Sequence, residues 1–259
     1  MTFRQYFGLV KRRFLDEVYF KMNSRYRLNY RNRGLVNFID IGSIGGLPEP
    51  WRRNASSVRF LLNFEPNESP ARNANSLTFN TAVWESDKRL PFYIYKGFNK
   101  TGSSLFRQNF AYVEAHWEEL RHRGPAYLAE SWHERSALIE TIELECRALD
   151  GILGQQLPET KFHFMKVDAQ GAEFNILNGA KELLAGSCCG LHLELFSLPL
   201  YEGMVLLDEV SAFLANFDFR LVKKFPAHGS FDSQNDCLFL KNNADRDIMS
   251  TIERVYRLI

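Results

Sequence analysis

The sequence VNFIDIGSIGG, residues 36–46, joins a run of apolar residues to a glycine-rich turn. A near-continuous apolar run of this length is typical of a strand that is covered on both faces of a parallel sheet. Asp40 stands at the end of this strand, and the glycines that follow let the backbone approach a ligand closely. The backbone amides of the turn can receive an anionic group. Glycine turns after strands are common, so this motif needs support from the rest of the chain.

Strand-like and helix-like segments alternate along the remaining sequence. We predict strands at 58–65, 77–84, 162–168, 191–196, 219–225 and 237–240, an added strand at 90–95 as a hairpin partner, and helices at 174–184 and near 207–217. No repeat or linker divides these segments. The alternation predicts one α/β domain over residues 36–259, with a mainly parallel sheet and helical crossovers.

Composition narrows the class of protein. The chain has 259 residues and a formal charge of +1, which gives no global attraction to nucleic acid or to membranes. Its four cysteines show no CxxC spacing, so we expect reduced thiols in a reducing compartment. No apolar run reaches the ~18 residues of a membrane span. The first thirty residues lack the continuous apolar core of a signal peptide. We therefore expect a cytoplasmic protein.

Residues 1–35 carry a local excess of positive charge. Arginine and lysine far outnumber aspartate and glutamate in this segment. Its apolar residues fall at helical spacing from Phe3 to Val18. We predict a basic helical extension before the domain. Two interpretations stay open: a peripheral helix that packs on the domain, or a surface that meets anionic lipid headgroups or another subunit.

Glu65 ends the strand that follows the glycine turn, 25 positions after Asp40. In nucleotide-binding α/β folds an acidic side chain at this place accepts hydrogen bonds from ribose hydroxyls. The glycines at 42, 45 and 46 do not fit the GxGxxG spacing of nicotinamide enzymes. The pair Asp40 and Glu65 thus indicates a nucleoside ligand. The alternative for Glu65 is a solvated carboxylate at a strand end.

Two further carboxylates, Asp168 and Glu194, stand toward the ends of predicted strands. Ligands of open α/β sheets bind beyond the carboxyl ends of the strands, where a carboxylate can act as a general base. If the two lie together, repulsion raises the pKa of one. A divalent metal between them is conceivable but not expected, because no dense ligand motif is present. We interpret His192 as a core histidine and Glu173 as a first-turn residue that suits the helix dipole.

The chain resembles the FkbM-type methyltransferases, a group of S-adenosylmethionine-dependent O-methyltransferases. The resemblance runs from about residue 37 to residue 240. It rests on FIDIGSIGGLPEPW (38–51), NFEPN (63–67), NTAVWESD (80–87), TGSSLF with Asn109 (101–109), ETIELECRALDGIL (140–153), KVDAQGAEFNILNGAKELL (166–184) and LHLELFSLPLYEG (191–203).

The resemblance implies a Rossmann-like class I fold, with a mostly parallel seven-stranded sheet, helices on both faces and an antiparallel last strand. It also assigns the residues of a cofactor site. They are Asp40, Gly42, Ser43 and Gly46 in the glycine loop, Glu65 at the ribose, and Asn80 to Ala82 near the adenine. Ile44 departs from the family, since many relatives have asparagine there.

From these observations we expect an O-methyltransferase that uses S-adenosylmethionine to methylate a hydroxyl of a sugar, glycan or other small molecule. Asp168 and Glu194 are the candidate catalytic residues, and no metal is assigned. A nicotinamide-dependent oxidoreductase and a degenerate fold that serves as a binding scaffold are the alternatives. Residues 97–135, rich in aromatics and histidines, are either a lid over the acceptor or a helical cap.

Overall fold

The strand predicted from VNFIDI forms β1 (Val36–Ile41), and all six of its residues are buried. The computed structural model describes residues 34–42, 46–66 and 68–259. The basic extension, apart from its last two residues, and the turn residues Ser43, Ile44 and Gly45 lie outside the described residues. The predictions made for them are therefore untested.

Eleven strands are present in the described part of the chain. After β1 they are β2 (Val58–Phe64), β3 (Ala71–Asn73), β4 (Ser76–Phe79), β5 (Ala82–Trp84), β6 (Lys88–Tyr95), β7 (Leu138–Ala148), β8 (Phe164–Val167), β9 (Gly190–Phe196), β10 (Phe219–Lys224) and β11 (Gln234–Lys241). The α-helices are α1 (Phe110–Ala115), α2 (Trp117–Leu120), α3 (Ala126–Glu130), α4 (Trp132–Arg135), α5 (Leu149–Gln156), α6 (Glu173–Asn178), α7 (Lys181–Ala185), α8 (Leu207–Ala215) and α9 (Arg246–Tyr256).

The main sheet is mixed and has eight strands in the order β10-β11-β9-β8-β1-β2-β4-β3. Four neighbouring pairs, from β9 to β4, are parallel. β11 runs antiparallel to both β9 and β10, and β3 runs antiparallel to β4. The predicted number of seven strands is therefore wrong. The additional strand is β3, a three-residue edge strand that forms a short hairpin with β4.

Both faces of this sheet are covered by helices, because side chains of a buried strand alternate between two apolar layers. On β1, Ile39 and Ile41 belong to the core beneath α5 to α8. Phe38 instead packs with Trp51 and Phe164, on the face that α9 covers. The two layers together fix the register of the central strands, since a one-residue slip would exchange them.

The predicted strand 77–84 is divided between two sheets. Its first part is β4, while its second part, β5, pairs with β7 in a separate three-stranded sheet of order β5-β7-β6. β6 contains the LPFYIY segment, so the added strand is confirmed, but it pairs antiparallel with the distant β7 and forms no hairpin with β5. β7 was not predicted, although Ile142, Leu144 and Cys146 alternate with charged residues as in a half-buried strand.

The predicted helix 174–184 is also divided, into α6 and α7. Gly179 lies at the break, where a Cβ would come within 2.1 Å of the Trp84 carbonyl oxygen. The helix is therefore interrupted where it contacts β5. The helix predicted near 207–217 forms as α8.

Residues 97–135 form a short 3-10 helix and the helices α1 to α4. Val113, Leu120 and Trp132 are buried there and pack in one cluster with Phe196 and Phe231. This packing is the arrangement expected of a helical cap over residues 110–135. The preceding stretch 100–105 behaves differently, because it borders the cavity described below.

All four cysteines are buried and free, as expected for reduced thiols. Among the helices of the described residues, none combines the length and the apolar character that a membrane span requires.

Candidate active site

A cavity of about 530 Å³ opens at the carboxyl ends of β1, β2, β8 and β9. These ends lie side by side because the strands are parallel and in register, with Asp40 opposite both Asn63 and Lys166. The small sheet and the loop after β6 form the other walls. The lining includes Ile41, Gly42, Phe64, Glu65, Pro66, Thr81, Ala82, Val83, Phe92, Ile94, Lys100, Thr101, Gly102, Ser103, Leu105, Asp168, Ala169, Gln170, Ala172, Ile176 and Glu194.

Five residues of the predicted site line this cavity together. They are Gly42, Glu65, Ala82, Asp168 and Glu194. The structure does not place Asp40, Gly46 and Asn80 on its surface. Asp40 is almost fully buried inside the sheet, one residue before Ile41. Ser43 lies outside the described residues.

Gly42 joins β1 to the cavity wall in a conformation that glycine alone adopts easily. Its φ is +79°, and a Cβ there would lie 1.9 Å from the carbonyl oxygen of Asp168. Its N–H donates to the carbonyl of Phe64 across 3.0 Å. The glycine therefore lets three neighbouring strand ends approach each other closely, and its own amide is already engaged within the protein.

Glu65 directly follows β2 and is buried at the edge of the cavity, with 7% of its surface exposed. Its backbone N–H donates to Phe79 at the end of β4. Asn80 supports the same turn from below, since its side-chain amide donates to the carbonyls of Pro66 and Glu68. Asn80 thus shapes the turn that carries Glu65, while Ala82 provides cavity surface.

Asp168 and Glu194 are joined by a side chain that the sequence analysis did not assign. The Gln170 amide nitrogen donates to Glu194 Oε2 at 2.7 Å and to Asp168 Oδ1 at 3.3 Å. The other oxygen of Asp168 accepts from the Lys166 ammonium at 3.1 Å. The two carboxylates therefore do lie together, but they differ in their partners.

Their electrostatic environments also differ. Burial, followed by the charge of Asp168, raises the pKa of Glu194 well above its ordinary value. The repulsion that the sequence predicted is thus present, with burial as the larger cause. Burial works to lower the pKa of Lys166, but Asp168 and Asp40 outweigh it and raise that pKa. Asp168 therefore faces the positive charge of Lys166, whereas Glu194 takes up a proton more readily than an ordinary carboxyl.

Gln170 is held in a left-handed backbone conformation, with φ +50°. Ser104 donates its hydroxyl to the Gln170 carbonyl at 2.7 Å, and the Tyr201 hydroxyl lies 3.1 Å from the side-chain oxygen of Gln170. Strained conformations of this kind are found where the surrounding structure fixes a functional side chain. Only the motif KVDAQGAE could have indicated Gln170, through its place between Asp168 and the glycine.

Glu173 supports the same loop from beneath. Its carboxylate accepts hydrogen bonds from the N–H groups of Ala169 at 2.8 Å and Gly171 at 2.9 Å. Burial raises the pKa of Glu173 to about 7. Its part in the structure is therefore more specific than the dipole interaction expected from its place in the first helical turn.

His192 is a satisfied core histidine, as interpreted from the sequence. Its two ring nitrogens face the Tyr256 hydroxyl at 2.8 Å and Asp236 at 3.0 Å. Within the described ranges, no group of three or more His, Cys, Asp and Glu side chains is arranged to hold a metal ion.

Comparison with known proteins gives a family for this arrangement. The family model described as the methyltransferase FkbM domain matches residues 50–221. The crystal structure of methyltransferase FkbM from Methylobacillus flagellatus KT aligns with 83% of this chain and 47% of its own, at 14% identity and a TM-score of 0.45. The chain thus spans about half the length of that protein, and a likeness of this degree does not by itself assign a function. No curated protein matches the chain. Because the family model covers most of the sequence, the chain belongs to the FkbM methyltransferase domain family.

Proposed function

We propose that the protein transfers a methyl group from S-adenosylmethionine to a hydroxyl of a sugar, glycan or other small molecule. The observation that carries this proposal is that one cavity has a carboxylate at each end, Glu65 at one and Glu194 at the other. Glu65 lies at the end of β2, and Glu194 lies at the end of β9, three strands away. Three strand spacings amount to about 14 Å, enough for an extended nucleoside with an acceptor oxygen beyond it.

The residues at the β2 end fit a nucleoside. The buried carboxylate of Glu65 can accept hydrogen bonds from both ribose hydroxyls. Ala82 and Val83 offer apolar surface for the base. Gly42 lets the ends of β1 and β8 approach each other between the two ends of the cavity, because a Cβ there would collide with the backbone at Asp168.

The residues at the β9 end fit a hydroxyl acceptor. S-adenosylmethionine supplies an electrophilic methyl group, so the protein needs only to align the acceptor oxygen and to receive its proton. Glu194 has the raised pKa that suits this proton transfer. Gln170 holds its carboxylate in place, and Asp168 beside Lys166 provides a fixed charge. The hydroxyl side chains of Thr101 and Ser103, at the rim, suit a hydroxylated acceptor.

The experiment that tests this proposal is a calorimetric titration of the protein with S-adenosylhomocysteine and, separately, with NAD⁺. We expect S-adenosylhomocysteine to bind at least about 100-fold more tightly, an advantage of about 2.7 kcal/mol. Tighter binding of NAD⁺ would support the oxidoreductase alternative. Binding of neither ligand would support the scaffold alternative.

A further inference from the structure

His228 lies near Oε1 of Glu194, whereas Gln170 binds Oε2. Its ring nitrogen Nε2 lies 3.9 Å from Glu194 Oε1 and 3.5 Å from Asp236 Oδ2. This nitrogen is buried and has no hydrogen-bond partner within the part of the chain that the structure describes. The His228 side chain as a whole is 41% exposed. The imidazole therefore extends from solvent to a buried carboxylate at the cavity.

The loop that carries His228 is built to hold it there. The backbones of His228 and Gln234 exchange hydrogen bonds of 2.9 and 3.1 Å. Gly229 has a φ of +74°, and a Cβ at this position would overlap the side chain of Gln234. Because glycine leaves that space open, the Gln234 amide reaches Glu194 Oε2 at 3.3 Å. One loop thus brings both an imidazole and an amide to the same carboxyl group.

The loop is also anchored away from the cavity. Phe231, in the loop between His228 and Gln234, is fully buried. It packs against Trp132 of the cap, with ring centroids 5.9 Å apart. Arg135 donates to the Ser230 hydroxyl at 2.9 Å. These contacts fix the distance between the imidazole and Glu194.

Asp236 is the other carboxylate that faces the imidazole. One Asp236 oxygen accepts from His192, which leaves Oδ2 toward His228. Burial works to raise the pKa of Asp236, but the hydrogen bond from His192 and the nearby histidines outweigh it and lower that pKa. Asp236 therefore remains ionised, and Glu194 is the neighbour of His228 that can exchange a proton.

We propose that His228 exchanges protons with Glu194 and carries them between the cavity and the surrounding water. His228 is thus a positioning residue that acts through Glu194. Its part in methyl transfer rests on the proposed function. There the acceptor oxygen gains the methyl group and gives its proton to Glu194, while the electrons of the broken C–S bond stay on sulfur. His228 then takes the proton from Glu194 and releases it to water.

The charges around Glu194 favour this exchange. Asp168, Glu173 and Asp236 repel its ionised form, Lys166 attracts it, and burial disfavours it most. The buried Tyr201 hydroxyl also lies within the field of this carboxyl. The net effect raises the proton affinity of Glu194 above that of an ordinary carboxyl, so its protonated form is available as a donor to the imidazole.

The test is an NMR titration of the six histidine rings in the ligand-free protein and in the Glu194→Gln and His228→Gln variants. The signal lost in His228→Gln identifies its ring. In the wild type we expect the His228 ring and the Glu194 carboxyl to titrate in two coupled steps. In Glu194→Gln the ring should titrate in one step, with a lower midpoint because the neighbouring negative charge is removed.

Thermodynamic linkage requires His228 to affect the Glu194 titration as much as Glu194 affects the His228 titration. Carboxyl NMR of His228→Gln should therefore show the Glu194 titration displaced by the same amount. This second variant keeps the test decisive if Glu194→Gln does not fold. The exposed ring of His122 is the matched control, and its titration should not change. An unchanged His228 titration in Glu194→Gln, or unequal displacements, would overturn the proposal. Because no ligand is used, failure of S-adenosylhomocysteine binding would contradict the proposed function alone.

Discussion

The two ends of the cavity are built in different ways. The end that we propose for the nucleoside, here called the nucleoside end, is made of Gly42, Glu65 and Ala82. It depends on where strands β1 and β2 stop and on one glycine conformation. The carboxylate end, made of Asp168, Gln170 and Glu194, depends on a network of side chains from distant parts of the chain. The comparison teaches that a ligand can be placed by backbone geometry, while proton transfer needs groups whose charge is set by their neighbours.

The largest expected effect separates the two ends by function. Glu194→Gln keeps the shape of the side chain but removes its ability to take up a proton. Turnover on the acceptor, followed as S-adenosylhomocysteine released, should fall by roughly 100-fold or more. Affinity for S-adenosylhomocysteine should stay within about threefold, since Glu65 and Gly42 are untouched.

Two variants serve as comparisons for this prediction. Glu145→Gln changes an exposed carboxylate on β7 and should leave turnover unchanged. Asp168→Asn should lower turnover less than Glu194→Gln, because Asp168 is already paired with Lys166. The reverse order would move the base to Asp168. Near-normal turnover in both variants would place the base elsewhere.

The second prediction concerns the contact that joins the two ends. Gly42→Ala would force a Cβ against the Asp168 carbonyl, so the unfolding free energy should fall by about 2–3 kcal/mol. Gly203 also has a positive φ, of +76°, but a Cβ there would meet no atom of the described residues within 4 Å beyond its chain neighbours. Gly203→Ala should therefore cost only about 1 kcal/mol in the same urea titration. Equal losses would show that strain alone, and no close contact, requires glycine at position 42.

The third prediction tests the nucleoside end alone. Glu65→Ala should weaken S-adenosylhomocysteine binding by about 1.5–3 kcal/mol, the usual loss for a charge-assisted hydrogen bond. Calorimetry measures this directly. Glu159→Ala, at an exposed position before β8 and thus at the opposite end of the strands, is the control. Unchanged affinity in a folded Glu65 variant would remove the ribose assignment.

The fourth prediction concerns pH and the support beneath the carboxylate end. The pKa of Glu173 is raised from 4.5 to about 7. A carboxyl with a raised pKa in the folded state stabilises the fold below its unfolded pKa, and this stability is lost as pH rises through the folded value. The contribution of Glu173 to the unfolding free energy should therefore fall by about 2 kcal/mol between pH 5 and pH 7.

The measurement is the difference in urea stability between the wild type and Glu173→Gln at several pH values. The variant should lose this part of the pH dependence, together with the smaller part that arises from the repulsion between Glu173 and Glu194. Parallel stability curves would mean that Glu173 is ionised throughout this range.

The smallest expected effect comes from the outer support of Gln170. Tyr201→Phe removes one hydroxyl near the Gln170 side chain, so turnover should fall by about fivefold, or about 1 kcal/mol. S-adenosylhomocysteine binding should not change. A loss of binding equal to the loss of turnover would show that Tyr201 supports the whole cavity and not the carboxylate end.

The sequence placed Gly42 and Glu65 at one cavity because their signals are local, and their contact with a nucleoside stays a prediction. A strand, its last carboxylate and a glycine stand together at residues 36–46 and 58–65, so the strand order alone brings Gly42 and Glu65 to one cavity. Asn80 was less predictable, since its side chain turns back to the 66–68 backbone.

The carboxylate end could be predicted only in part. Asp168 and Glu194 were found from their places in strands. The partners of Asp168 lie two positions away, but those of Glu194 and Gln170 include groups 24 to 66 positions away. Side-chain contacts over such separations leave no periodic pattern in a single sequence. The division of strand 77–84 was missed for a related reason, because β5 pairs with β7, a strand from a later part of the chain.

The most direct test of the central claim is a crystal structure of the protein with S-adenosylhomocysteine. The account predicts that both ribose hydroxyls lie within hydrogen-bond distance of Glu65, and that the sulfur points toward Asp168 and Glu194. A ligand bound outside this cavity, or bound with its ribose at the β9 end and its sulfur at Glu65, would contradict the account.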